Sequence, residues 1–89
     1  MPRNKTADGI RISRVVESLE TVPGIELRDG KDDRVIATMT GYDRVCPIGT
    51  GTNVRKSVVS WLRYATGTSK GAAEIYDMLR TGGEYATVP

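Results

Sequence analysis

The spacing of the apolar residues changes period twice along this chain, and that order of periods admits few folds. From Ile12 to Val22 they recur three and four apart (Ile12, Val15, Val16, Leu19, Val22), which defines one face of a helix. Pro23-Gly24 breaks the run, after which Ile25 and Leu27 alternate with Glu26 and Arg28 as in a half-buried strand. Val35, Ala37 and Met39 alternate with Ile36 and Thr38 in a second strand over 34–40, and a third runs from Asp43 to about Ile48. The helical period returns in Val54, Val58, Trp61, Leu62 and Ala65, and again, as a narrower stripe, in Ala72, Ile75, Tyr76 and Leu79. The polar turn Asp29–Asp33 and the tight turn at Gly41-Tyr42 are too short for a parallel crossover, so the strands form an antiparallel meander. The expected fold class is therefore α+β: helix, three-stranded antiparallel meander, helix, plus an extra C-terminal helix.

A chain of 89 residues builds one core. The punctuation divides it into a flexible tail at 1–9, with Pro2 and Gly9, an α-β-β-β-α core at 10–67, an appended helix at 68–82 and a tail at 83–89. Ser13 or Asp8 is expected to cap the first helix, Thr52 or Asn53 the second, and Thr68 or Ser69 the last. Gly67 and Gly82-Gly83 end the second and third. Pro47 donates no hydrogen bond, which marks an edge or a strand end.

The absence of histidine removes several chemistries together. Ser-His-Asp and Cys-His catalysis are excluded within this chain, and one cysteine cannot complete a tetrahedral zinc site. That cysteine, Cys46, reads as a small half-buried hydrophobe in a strand, and a single thiol fits a reducing compartment. A carboxylate-only Mg²⁺ site at Asp29, Asp32 and Asp33 stays formally open, but no cofactor is expected. No apolar run is long enough to span a bilayer and no signal-peptide pattern appears, so the expectation is a soluble, cytoplasmic protein with no membrane partner.

The formal charge of +2 is too mild to announce a nucleic-acid partner, so its distribution matters more. Arg3, Lys5, Arg11 and Arg14 make the N-terminal stretch basic, and Arg55, Lys56 and Arg63 fall on a later helix with no acid. The segment Gly49–Ser57 follows a strand, is glycine-rich and opens that helix. It departs from the phosphate-loop pattern, since Arg55 stands where glycine precedes the lysine and Thr50 where the first glycine belongs. Two readings remain: a helix start whose N–H groups, with Arg55 and Lys56, hold an anion such as a backbone phosphate, or a capped helix with a solvated basic face. The turn Asp29–Arg34 is either solvated or a partner-contacting tip built from Lys31, Asp32, Asp33 and Arg34. Trp61 belongs to the apolar stripe, whereas Tyr42 at the hairpin tip is expected to be exposed, free to stack a base or anchor a protein contact.

The order helix, three strands, helix, with Gly24-Ile25-Glu26-Leu27 after the first helix, Val45-Cys46-Pro47-Ile48 in the third strand, Asn53–Val59 opening the next helix and Ala65-Thr66-Gly67 closing it, resembles the HicA-type toxins of bacterial toxin–antitoxin pairs. The resemblance spans roughly 12–67. It implies a fold like the double-stranded RNA-binding domain, an mRNA-cleaving ancestry and an antitoxin-like companion. It also implies a catalytic histidine at the start of the second strand, where this chain has Asp32 or Asp33. A carboxylate lacks imidazole's tuning near neutral pH, so cleavage is expected to be lost or carried by another base. The helix from Ser69 to Arg80 lies outside the resemblance, and packs on the core, forms a homodimer surface or engages a partner.

Three functions follow as expectations. The first is a catalytically inactive RNA-binding domain that contacts phosphates through Arg55, Lys56 and Arg63, helped by Arg11 and Arg14. The second is a phage- or plasmid-encoded inhibitor that docks on a protein target through the charged turn, Tyr42 and the extra helix. The third is an active ribonuclease using Lys31, Asp32 or Asp33.

Overall fold

The computed structural model of the chain describes residues 4–32 and 34–89. Its elements follow in the order α1 (Ile12–Glu20), β1 (Ile25–Asp29), β2 (Val35–Met39), β3 (Tyr42–Ile48), a π-helical turn (Val54–Val58) running into α2 (Val59–Thr66), α3 (Ala72–Thr81) and a 3-10 turn (Tyr85–Thr87). The three strands form one antiparallel sheet in the order β1-β2-β3, as the short turns require. Gly41, at φ 81°, supplies the left-handed residue of the turn closed by the Met39–Tyr42 pair. Gly24, at φ 87°, admits β1 beside Met39, whose sulfur would lie 2.9 Å from any Cβ placed there.

Register explains the core. Ile25 pairs with Met39, Leu27 with Ala37, Val35 with Ile48 and Ala37 with Cys46, so one face gathers the alternating apolar residues. These pack with Ile12, Val15 and Leu19 of α1, with Val54, Val58, Val59, Trp61 and Leu62 of the second helical segment, and with Ile75, Met78 and Leu79 of α3. Among the described residues no helix is long and apolar enough to cross a membrane.

Six details differ from the sequence reading, each for a physical reason. Residues 4–9 are not a loose tail: Lys5 bridges to Arg11, Thr6 is buried, and the Ala7 amide donates to the Thr52 carbonyl at 2.9 Å. This folded-back segment also replaces the expected cap of α1. Arg11 is the N-cap without a side-chain bond, and the Ile12 amide donates to the Asn4 carbonyl at 2.6 Å. On α1, Ser18 is fully buried where the stripe would have predicted only apolar residues, because its hydroxyl donates to the Met78 carbonyl at 2.6 Å.

The second helix opens with a π turn in which the Val59 amide reaches back to the Val54 carbonyl. That extra residue per turn shifts the helical phase, burying Val58 and Val59 together and leaving Ala65 half-exposed. Nor is α3 an appendage. Ile75 and Leu79 are fully buried in the common core, Met78 takes the place predicted for Ala72, and the cap is Gly71 rather than Thr68 or Ser69. The final residues fold back as well. The Tyr85 amide donates to the Thr21 hydroxyl at 2.9 Å, and the Lys70 ammonium donates to the Val88 carbonyl while lying 4.9 Å from the Tyr85 ring centroid.

Candidate functional site

The start of the second helix was the sequence's candidate anion site, and its amides are already taken. The Asp8 carboxylate accepts from the Val54 amide at 3.1 Å and the Arg55 amide at 3.2 Å, across 46 residues of chain. The Asn53 side chain accepts from the Lys56 amide at 3.0 Å, and the Asn53 carbonyl from the Ser57 amide at 2.8 Å. The first three amides of the helix, those of Val54, Arg55 and Lys56, therefore have side-chain partners, the Ser57 amide makes the first intrahelical bond, and none of the four is free for a phosphate. Partial burial pulls the Asp8 carboxyl upward, but hydrogen bonds from Thr6, from the two helix amides and from its own amide outweigh it. The net result lies below the ordinary 3.8.

The predicted cations occupy separate places. Arg14 pairs with Glu17 at 3.3 Å and lies against Gly82, in the seam between α1 and α3. Arg11 faces Lys5 across their bridge. Arg55 turns toward α3, its guanidinium 5.6 Å from the Tyr76 ring centroid in a cleft shared with Asp77 and Arg80. Lys56 and Arg63 remain, spaced with Ser60 at helical intervals along the exposed side of the segment.

That side is unusual in its composition. The residues exposed between 54 and 66 are Arg55, Lys56, Ser57, Ser60, Arg63 and Tyr64, without a single carboxylate. Among the described residues the ion pairs are Arg14–Glu17 and Arg80–Asp77, so no cation of this helix is neutralised in one. Between this helix and the edge strand β3 lies a cleft of about 500 Å³ that Arg44, Val45, Ser57, Ser60 and Tyr64 help to line. A second cleft, of about 360 Å³, continues from Ser60 and Tyr64 to Arg63, Gly67 and Thr68. The sequence reading missed Arg44, Ser60 and Tyr64. The signal for Tyr64 was present in its place off the apolar stripe of its helix, and 78% of it is exposed.

Tyr42 is corrected. It is half-buried rather than a free tip, and packs edge-on against Trp61 with ring centroids 6.3 Å apart. Trp61 is core, as expected, with its indole N–H donating to the Arg44 carbonyl at 2.9 Å. A shift of register between Ala37 and Met39 bulges β3 there, and the indole covers a carbonyl that an edge strand would otherwise leave open.

The charged turn stands apart from Tyr42, at the opposite end of β2. Lys31, Asp32 and Arg34 are all exposed. The turn is closed by the Gly30 amide on the Arg34 carbonyl at 2.7 Å and the Arg34 amide on the Lys31 carbonyl at 3.1 Å, with Asp32 left-handed at φ 57°. Asp33 lies outside the described residues, and among the described residues no group of three potential ligands could hold a metal. Cys46 is buried more completely than its sequence reading implied, and burial pushes its thiol up to about 12, so it is uncharged at neutral pH.

Comparison with protein-family models, curated proteins and solved structures finds no match for this chain.

Proposed function

We propose that this domain binds RNA through the exposed side of its second helix and does not cleave it. The observation that carries the reading is the unneutralised, acid-free face bearing Lys56, Ser60 and Arg63, set beside helices whose arginines are paired. Point charges that no carboxylate neutralises attract a polyanion and release its counterions, and hydroxyls among them add neutral donors for phosphate oxygens. The succession of a helix, a three-stranded antiparallel sheet and a helix fits descent from the double-stranded RNA-binding-domain-like fold of HicA-type toxins, in a cytoplasmic setting. The chain has no histidine to act as general acid or base, which favours binding over cleavage.

The test is a fluorescence-polarisation titration with labelled RNA at two salt concentrations. Lys56→Glu/Arg63→Glu should weaken binding by at least about tenfold and flatten the salt dependence by about 0.7 in logarithmic slope per lost contact. Binding unchanged in that variant would sink the reading. One observation favours a protein target instead: Val45 leaves 50% of its surface exposed on the edge strand. If the domain is itself an inhibitor of phage or plasmid type, its protein target would cover Val45, as would an antitoxin-like companion or a second copy of the chain, and that binding would be insensitive to the charge reversal.

A further inference from the structure

We infer that the cleft between β3 and α2 takes an unpaired base of single-stranded RNA, stacked on Tyr64. The inference rests on the proposed RNA-binding reading and names its substrate class. Among the described residues Tyr64 and Val45 are the exposed large hydrophobic ones, and both border this one cleft. Tyr64 also borders the neighbouring cleft, so it stands as the wall between them, with Arg44 on one side and Arg63 on the other. A phosphodiester chain passing this wall meets a cation before and after it, and the base between them meets a π face.

The polar groups suit the same occupant. Ser57 and Ser60 line the cleft, and neither hydroxyl is engaged by another described residue, leaving two donor–acceptor groups for a base edge or a 2′-hydroxyl. Trp61, by contrast, is spent: its indole N–H is held by the Arg44 carbonyl and its ring by Tyr42, so it forms a fixed floor. Among the described residues no carboxylate lines either cleft, which favours an anionic ligand over a basic peptide. A duplex offers Tyr64 nothing to stack on, because its bases are stacked on one another and its A-form major groove is closed to side chains. Only an unpaired nucleotide uses the aromatic wall and the flanking cations together.

The experiment compares an oligoribonucleotide of about 12 nucleotides, long enough for a typical single-strand site, with a duplex of about 16 base pairs. Polarisation is measured for the unaltered protein, Tyr64→Ala, Tyr64→Phe and Lys56→Glu/Arg63→Glu. Tyr64→Ala should lose roughly tenfold in affinity for the single strand and nothing for the duplex, and Tyr64→Phe should keep the single-strand affinity. Equal affinity of Tyr64→Ala and the unaltered protein for the single strand, or an equal loss on both RNAs, overturns the inference. If the charge reversal still weakens binding in that case, the RNA-binding reading stands without it. Failure of the unaltered protein to bind either RNA removes both.

Discussion

On α3 and α1 the arginines reach carboxylates one turn away, Arg80 to Asp77 and Arg14 to Glu17, while on the second helix Arg55, Lys56 and Arg63 have no such partner among the described residues. The two surfaces belong to the same small domain and differ in what their charges do. Arg14–Glu17 lies where α1 and α3 meet, Arg80–Asp77 borders the cleft between α3 and the second helix, and the buried Ser18–Met78 hydrogen bond ties α1 to α3. Exposed ion pairs contribute about 0–1 kcal/mol, so the seam is held by its apolar side and merely decorated by charge. On the unpaired surface Arg55 packs over the Tyr76 ring, while the Lys56 and Arg63 side chains have no hydrogen bond or ion pair among the described residues. A charge kept free of partners is available to a ligand.

The comparison breaks first at α3, if that helix is not part of the core. Leu79 is fully buried against its neighbours, and truncation leaves a cavity that a small domain cannot collapse. Leu79→Ala should therefore lower unfolding stability by about 3 kcal/mol, read from the denaturant midpoint. A change under about 0.5 kcal/mol, the range of ordinary surface substitutions, would return α3 to the status of an appendage.

The second prediction turns one surface into the other. A glutamate at position 60 stands three residues before Arg63, the spacing of the pairs on α1 and α3, and four after Lys56. Ser60→Glu should stabilise the helix by about 0.3 kcal/mol, measured thermally, and weaken RNA binding about tenfold, since pairing the cations removes them from phosphate contacts. Unchanged affinity would mean that freedom from acids is not the property that matters.

What the sequence made legible was periodicity. The three helices, the meander, the caps at Asn53 and Gly67, and the burial of Trp61 all follow from spacing and from residues with narrow conformational preferences. The failures share a different origin. Each depends on a contact between distant segments that no local pattern encodes: Thr6 buried over the loop after β3, Ser18 bonded to Met78, Tyr42 drawn onto Trp61. The cations could be counted but not fully sorted: Arg14 has Glu17 one turn away on its own helix, but Arg55 differs from Lys56 through the Tyr76 ring that α3 brings beside it. Tyr64 lies off the apolar stripe of its helix and Tyr42 at the hairpin turn, and only packing separates them: Tyr42 is drawn onto Trp61, whereas Tyr64 stays exposed.

Asp8 gives the smallest effect and the clearest division of labour. It is the acid that reaches the basic helix, yet it binds backbone amides rather than the cations. Asp8→Ala should cost about 1 kcal/mol of stability, as for a lost N-cap, with RNA affinity at neutral pH within twofold of the unaltered protein's, about 0.4 kcal/mol. The pH dependence carries a sign. Because the folded carboxyl lies below its ordinary 3.8, its contribution is complete above that value and disappears as pH falls through the lower folded value. The stability difference between the unaltered protein and Asp8→Ala, from denaturation at several pH values, should thus be constant down to about pH 5 and shrink below 3.8. A difference that instead grows on acidification would mean that Asp8 is held in its protonated form, and that the helix amides are not what it serves.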